Sequence, residues 1–331
     1  MAQVETLGIV PESKAVFELI MRYLTALVEN KSPPPPHHHL HEFDDCQYLV
    51  HGDSAGGLRL SFALPCLEDC FREQLLTENT LELIQGAYQG MATVLQPPEP
   101  GYQVSLQLEV RVLTRISPAD RAYWVRLMAS IRQLVTGQPL RFHFSRLGEG
   151  RSAPGPVEVH CSRPGKEYFV KPHAQSVTVI LPVRFLTVQD AAIGHAVLQE
   201  FADARRQASL GNAPSCAYFP AKSPPPEVMQ VPAALLDGVS GFMSFTVTER
   251  HVRAAHIEEV VWSLHTFRIL IGFHITSCKA MIHARMRVCA DRLSSSLDLR
   301  GTQPLPLDIS ARQPVALTQA NHPAGWKPVQ P

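Results

Sequence analysis

The side chains able to do chemistry in this chain are its histidines, cysteines and clustered basic residues, and most of them are placed badly for catalysis. His37, His38 and His39 follow four prolines, Pro33 to Pro36. Three adjacent imidazoles project in different directions, so a solvated low-complexity loop is expected there rather than a metal site. Cys66 and Cys70 can share a helix face, but no second ligand pair has zinc spacing. His265, His274 and His283 are nine residues apart. At about 100° per residue, successive members fall on opposite sides of a helix and cannot hold one ion; a buried or partner-facing role is expected for them. The pair Gly56-Gly57 is followed by no Lys-Ser/Thr and reads as a turn. The zinc motif H-E-x-x-H is absent from the sequence, and the one G-x-S-x-G string, Gly52 to Gly56, lies in this same expected turn, where no helix starts to form a nucleophile elbow. No catalytic residue, metal or cofactor is therefore expected.

Charge is more informative. The chain carries 30 Lys plus Arg against 30 Asp plus Glu, so no whole-chain field draws in nucleic acid. Between Val260 and Ala290, however, there is no carboxylate at all, while Arg268, Lys279, Arg285 and Arg287 are present. A stripe of one sign on a neutral protein is where an acidic partner is met, with solvated surface charge as the plain alternative.

The elements that must carry these residues follow from periodicity. With 331 residues, 45% of them hydrophobic and 18% charged, the chain suits two globular domains. The seven cysteines show no paired framework and no run is long enough to span a membrane, which points to a cytoplasmic protein; the first ten residues do not read as a secretory signal. A first helix is expected over Ser13 to Glu29, with Val16, Leu19, Ile20, Tyr23 and Leu27 inward, and one or two helices over Cys66 to Gly86. Strands are expected at Gln47 to Val50, Leu58 to Leu64 and Gly101 to Val110. A helix opens at Ser117-Pro118 with Asp120 as its capping partner, carries Tyr123, Trp124, Leu127, Met128, Ile131, Leu134 and Val135 on its apolar face, and stops at Gly137.

The second half is expected to repeat this order. Strands are assigned at Leu140 to Arg146, Val157 to Cys161, Tyr168 to Lys171 and Val177 to Val183. A helix capped by Thr187 and Asp190 then faces Ile193, Val197, Phe201 and Ala204 inward, and strands follow at Cys216 to Phe219 and Phe242 to Thr248. The class is α+β: two similar domains of antiparallel sheet plus helices, covering residues 1–137 and 138–253, then a long C-terminal helix over 254–297 and a disordered Pro/Gln/Thr-rich tail over 298–331. From Ala254 to about Ser296 there is no proline and one glycine, Gly272. At 1.5 Å per residue such a helix is roughly 60 Å long, too long for one domain to cover. Its apolar residues Ile257, Val261, Leu264, Ile271, Ile275, Cys278 and Ile282 alternate three and four apart, with a second row at Val260, Phe267, His274, Met281 and Val288. Either the helix spans both domains of its own chain or part of it packs on another subunit's helix; the length favours the second.

The segment Leu264 to Arg287, LHTFRILIGFHITSCKAMIHARMR, resembles without a gap the signature helix of subunit 2 of the actin-related protein 2/3 complex, the 34-kDa subunit family, and the loop APSC at Ala213 to Cys216 is most like the green-lineage members. GYQVSL at Gly101 to Leu106, VTVILPVRF at Val177 to Phe185, QEFADARR at Gln199 to Arg206 and APSC at Ala213 to Cys216 match in the same order. The resemblance covers about residues 42 to 295. It implies a non-catalytic cytoskeletal subunit whose long helix pairs with that of subunit 4, in a complex that nucleates actin branches from a mother filament. Carried over residue by residue, Arg205, Arg206, Lys279, Arg285 and Arg287 are the expected filament-binding positions. Leu264, Phe267, Ile271, Ile275 and Ile282 are the expected partner-subunit interface. The family's Pro ahead of Arg-His is Glu249 here, and Val288-Cys289-Ala290-Asp291 stands where the family stays basic. The competing functional class is a metal- or nucleotide-dependent cytosolic enzyme, which predicts stoichiometric metal. An RNA-binding sheet has only Tyr168 to Lys171 as a candidate strand.

Overall fold

The computed structural model describes residues 11–31, 33, 37–42, 46–53, 56–64, 78–88, 90–161, 166–204, 212–253 and 256–298. The chain divides into two compact units, residues 1–279 and 280–331. The first unit holds two five-stranded antiparallel sheets, and the long helix begins in it.

The first sheet is preceded by helix α1 (Lys14–Val28). The Ser13 hydroxyl accepts a hydrogen bond from the Val16 amide at 3.2 Å, satisfying one of the orphan N–H groups of the first turn. Val16, Ile20, Tyr23 and Leu24 are buried, as 3.6-residue periodicity requires. The strands are β1 (His37–His41), β2 (Gln47–Gly52), β3 (Leu58–Ala63), β4 (Ala92–Val94) and β5 (Val104–Leu108), in the order β1-β2-β3-β5-β4. The histidine run is thus an edge strand rather than a loop. Backbone hydrogen bonding to β2 in the register His37↔His51 to His41↔Gln47 does not require apolar side chains, and four of its five residues are exposed.

Helices α2 (Glu78–Ala87), α3 (Val110–Leu113), α4 (Pro118–Ala129) and α5 (Ile131–Thr136) follow. The first core joins Ile20, Phe62, Ile84, Leu106, Met128 and Ile131, residues drawn from this sheet and its helices. The expected single helix after Ser117 is two, broken at Ser130, where the backbone leaves helical geometry (φ −93°, ψ 15°). Within the first of the two the inward face is also shifted from the expected one: Val125 is buried, whereas Tyr123 is exposed. The Ser117 cap and its contact with Asp120 form as expected, with the Asp120 amide donating to Ser117 Oγ at 3.1 Å.

The segment expected as a strand at Leu140 to Arg146 is instead helix α6 (Gln138–Gly148). Leu140, Phe142 and Phe144 alternate as a strand would, but Leu140, Phe144 and Leu147 also fall on one helical face, and those three are the buried apolar set. Pro139 sits in the first turn, where it costs no hydrogen bond.

Strands β6 (Glu158–Cys161), β7 (Glu167–Pro172), β8 (Ser176–Val183), β9 (Ser215–Pro220) and β10 (Gly241–Thr248) form the second sheet in the order β6-β7-β8-β10-β9. Strand for strand this repeats the first sheet's order, and the protein is α+β. Helix α7 (Val188–Ala204) connects β8 to β9 and opens at the expected cap: Asp190 N donates to Thr187 Oγ1 at 3.1 Å, and that hydroxyl donates to Asp190 Oδ2 at 2.7 Å. Its buried residues are Gly194, Leu198 and Ala202, with Ile193 and Val197 only partly covered. Both faces of this sheet are dry. Val177, Val179, Met243 and Phe245 meet the helices on one side, and Phe169, Ile180 and Phe242 meet Val228 and Val231 on the other. The last helix, α8, runs Ile257–Asp298. Among the described residues no helix is long and apolar enough to cross a membrane.

Candidate functional site

The residues singled out by sequence lie along α8, so what fixes that helix decides what it can do. Glu258 and Glu259 occupy its first turn, where carboxylates complement the exposed N–H dipoles. Arg141 of α6 grips Glu258 with both arms, Nε to Oε1 at 2.6 Å and Nη2 to Oε2 at 2.8 Å. Gln133 adds a bond to Glu258 Oε2 at 2.9 Å. One turn on, Trp262 is fully buried, with the guanidinium of Arg132 5.0 Å from its ring centre.

The following turns lie on the second sheet. Phe267 meets Phe245 of β10 and Phe201 of α7 edge-on, with ring centres 4.9 and 5.0 Å away. Leu264, Phe267, Ile271 and Ile275 are all buried in the second core. At about 1.5–3 kcal/mol for each large apolar side chain, this row is a main anchor of the helix. Four of the five positions expected at a partner interface are therefore covered by the chain's own sheet. The physical reason is that apolar spacing marks a face to be buried without specifying what buries it. The fifth, Ile282, is 45% exposed.

Continuing the same three-four spacing leads from Ile282 to Met286, Cys289, Leu293 and Leu297, all on one side of the helix. All five are exposed. Ile282 closes the stripe expected from sequence, and the positions after it continue its period.

The basic positions behave differently from one another. Arg268 is spent within the fold, donating to the Glu167 carbonyl at 2.9 Å and the Lys166 carbonyl at 2.5 Å. Lys279 donates to Asp190 Oδ1 at 2.8 Å, and that contact is the main cause holding the Asp190 carboxyl below its usual range. Arg285 and Arg287 are exposed. Two residues on a helix are separated by about 200° of rotation, so these two do not share a patch. Arg205 and Arg206, like Cys66 and Cys70, lie outside the described residues. His265 stacks on Trp262 (6.1 Å between ring centres), while His274 and His283 are exposed rather than buried.

Beside α8, a cleft of about 310 Å³ is bounded by Pro182, Arg184, Phe185, Asp190, Phe267 and Lys279. Leu186, at its edge, is 98% exposed. With Lys166 and Arg268 also on its wall, the cleft brings one acid, four cations and apolar rings together but presents no nucleophile beside a base, so its chemistry is that of contact.

Comparison with known proteins bears on the family. The family model described as "Arp2/3 complex, 34 kD subunit p34-Arc" matches residues 60–299. Actin-related protein 2/3 complex subunit 2A of Arabidopsis thaliana is 31% identical over 262 residues, 78% of this chain and 80% of that one. Subunit 2B of the same plant is 24% identical over 285 residues, 80% of this chain and 71% of that one. Actin-related protein 2/3 complex subunit 2 of Schizosaccharomyces pombe is 25% identical over 289 residues, 81% of this chain and 87% of that one.

Proposed function

Since the chain belongs to the 34-kDa p34-Arc family, the non-catalytic structural subunits of the Arp2/3 complex, we propose that it forms the core heterodimer with subunit 4 and contacts the side of the mother filament while branched actin is nucleated. The observation that carries this reading is the exposed row Ile282, Met286, Cys289, Leu293 and Leu297. Water-exposed apolar residues repeating three and four apart along a helix are the signature of a seam awaiting another helix. The partner is a helix of subunit 4, laid along that row.

Filament contact is assigned to Arg205, Arg206, Arg285 and Arg287, with Lys279 contributing less because Asp190 already holds its charge. On this assignment the basic side chains meet an acidic surface on the filament, with a strength that falls as salt rises. In this reading the chain comprises a first domain over 1–137, a second over 138–253 and the helix over 254–297, and it works in the cytoplasm at the actin cytoskeleton.

A tagged copy purified from its own cells tests the assignment. Recovery of a subunit-4 homologue and actin-related proteins in equal amounts supports it, and a monomer recovered without them overturns it.

A further inference from the structure

Away from α8, helix α6 and edge strand β6 bring together three side chains of another kind. His143 projects from α6, and Glu158 and His160 from β6. One ligand atom from each lies within 4.8 Å of the others. His143 Nε2 is 3.0 Å from Glu158 Oε2, and His160 Nε2 is 3.3 Å from the same oxygen. Four ligands at zinc's bond lengths of about 2.0–2.1 Å, arranged tetrahedrally, lie about 3.3 Å from one another. The two spacings to Glu158 Oε2 are close to that edge.

Two further observations point to an ion rather than to a hydrogen-bonded trio. His160 is 8% exposed, and among the described residues its Nδ1 has no hydrogen-bond partner while its Nε2 meets the Glu158 carboxylate in an ion-pair contact. A buried imidazole so sparsely partnered is relieved by a metal bond. In addition, His143 and Glu158 line a cleft of about 170 Å³, together with Ser152, Gly155 and Pro172, which gives an ion a route in.

We infer that His143, Glu158 and His160 form a binding site for one divalent transition ion of the zinc class, clipping α6 to the free edge of the second sheet. Two imidazoles and one carboxylate suit Zn²⁺, which takes nitrogen and oxygen ligands in a tetrahedron and leaves a fourth position for water or an incoming carboxylate. Arg146, also on the cleft wall, favours an anion there. The site departs from the expectation that the chain holds no metal, and it stands independently of the assembly reading. Its parts were not visible in sequence because 15 residues and a change from helix to strand separate His143 from Glu158.

The test uses the full chain, stripped with chelator, given one equivalent of Zn²⁺, desalted and assayed by elemental analysis. A variant with His37, His38 and His39 all changed to alanine removes the competing exposed histidines. Wild type and that triple variant are expected to retain one zinc per chain. Glu158→Gln and His160→Gln, each checked for native circular dichroism, are expected to bind at least tenfold more weakly. Zinc should also raise Tm of the wild type and leave Glu158→Gln unmoved. Because Glu158 is partly exposed, that variant keeps the test decisive if His160→Gln fails to fold. Failure of wild type to retain zinc, its loss in the triple histidine variant, or its retention by folded Glu158→Gln would each overturn the site.

Discussion

Arg141 and Glu258, 117 residues apart in sequence, are joined by two charge-assisted hydrogen bonds of 2.6 and 2.8 Å, which tie the start of the long helix to α6. Arg141 is nearly buried and Glu258 half exposed, so the two ends of the pair are not equivalent. Removing the carboxylate leaves a buried guanidinium short of acceptors. Glu258→Ala should lower stability by about 2 kcal/mol, measured by urea unfolding. Changing both residues to apolar ones of similar size should cost less than either single change.

The two parts of the apolar row on α8 should respond differently to mutation. Ile271→Ala opens a cavity in the second core and is expected to destabilise the isolated chain by about 2–4 kcal/mol. Ile282→Asp or Leu293→Asp, at exposed positions, should leave urea unfolding of the isolated chain within about 0.5 kcal/mol of wild type. In a pull-down, those same two changes should abolish recovery of the subunit-4 homologue. Equal recovery from wild type and Leu293→Asp would sink the seam.

Filament contact can be graded by charge. Co-sedimentation of the assembled complex with actin filaments should weaken several-fold on changing Arg205 and Arg206 to alanine, and the loss should shrink as salt is raised. Lys279→Ala should have a smaller effect, because its ammonium is engaged by Asp190. Asp190→Asn frees that ammonium and is expected to tighten binding.

Acid sensitivity has an identifiable source in the first sheet. Burial pushes the Glu99 carboxyl up, but hydrogen bonds from Ser61 and His51 and the nearby charges of His51 and Arg59 outweigh it, leaving the group below its ordinary value of 4.5. A carboxyl lowered in the folded state stabilises the protein above its unfolded pKa, and this contribution disappears as pH falls through the folded value. Stability should therefore decline as pH drops below about 4.5, with a shallower decline in Glu99→Gln, measured by thermal unfolding at a series of pH values.

Local signals were read well where one short-range rule was in force. Ser117 with Asp120 and Thr187 with Asp190 opened helices where caps predict them. The near-continuous apolar run 177–183 gives a central strand whose residues, buried on both faces, sit in the middle of the second sheet. The errors arose where two rules competed or where partners were distant. Residues 140–144 fit both a two-residue and a helical period, and only the core contacts of Leu140, Phe144 and Leu147 decide for the helix. The histidine run joins a sheet through backbone bonds, which side-chain patterning does not report. Burial of Leu264 to Ile275 was legible in the spacing, whereas the identity of the covering surface depends on Phe245, Leu181 and Met243, which no local window contains.

The anchoring of α8 on the second sheet also sets an order of events. A chain that completes its own cores holds Ile282 to Leu297 out in water from the moment it folds. Association then costs less ordering entropy, since residues 282–297 are already helical. The same readiness makes a surplus copy hazardous: without its mate it displays a sticky strip that invites clumping or degradation. Cells that make this chain are thus expected to keep its production matched to that of its partner.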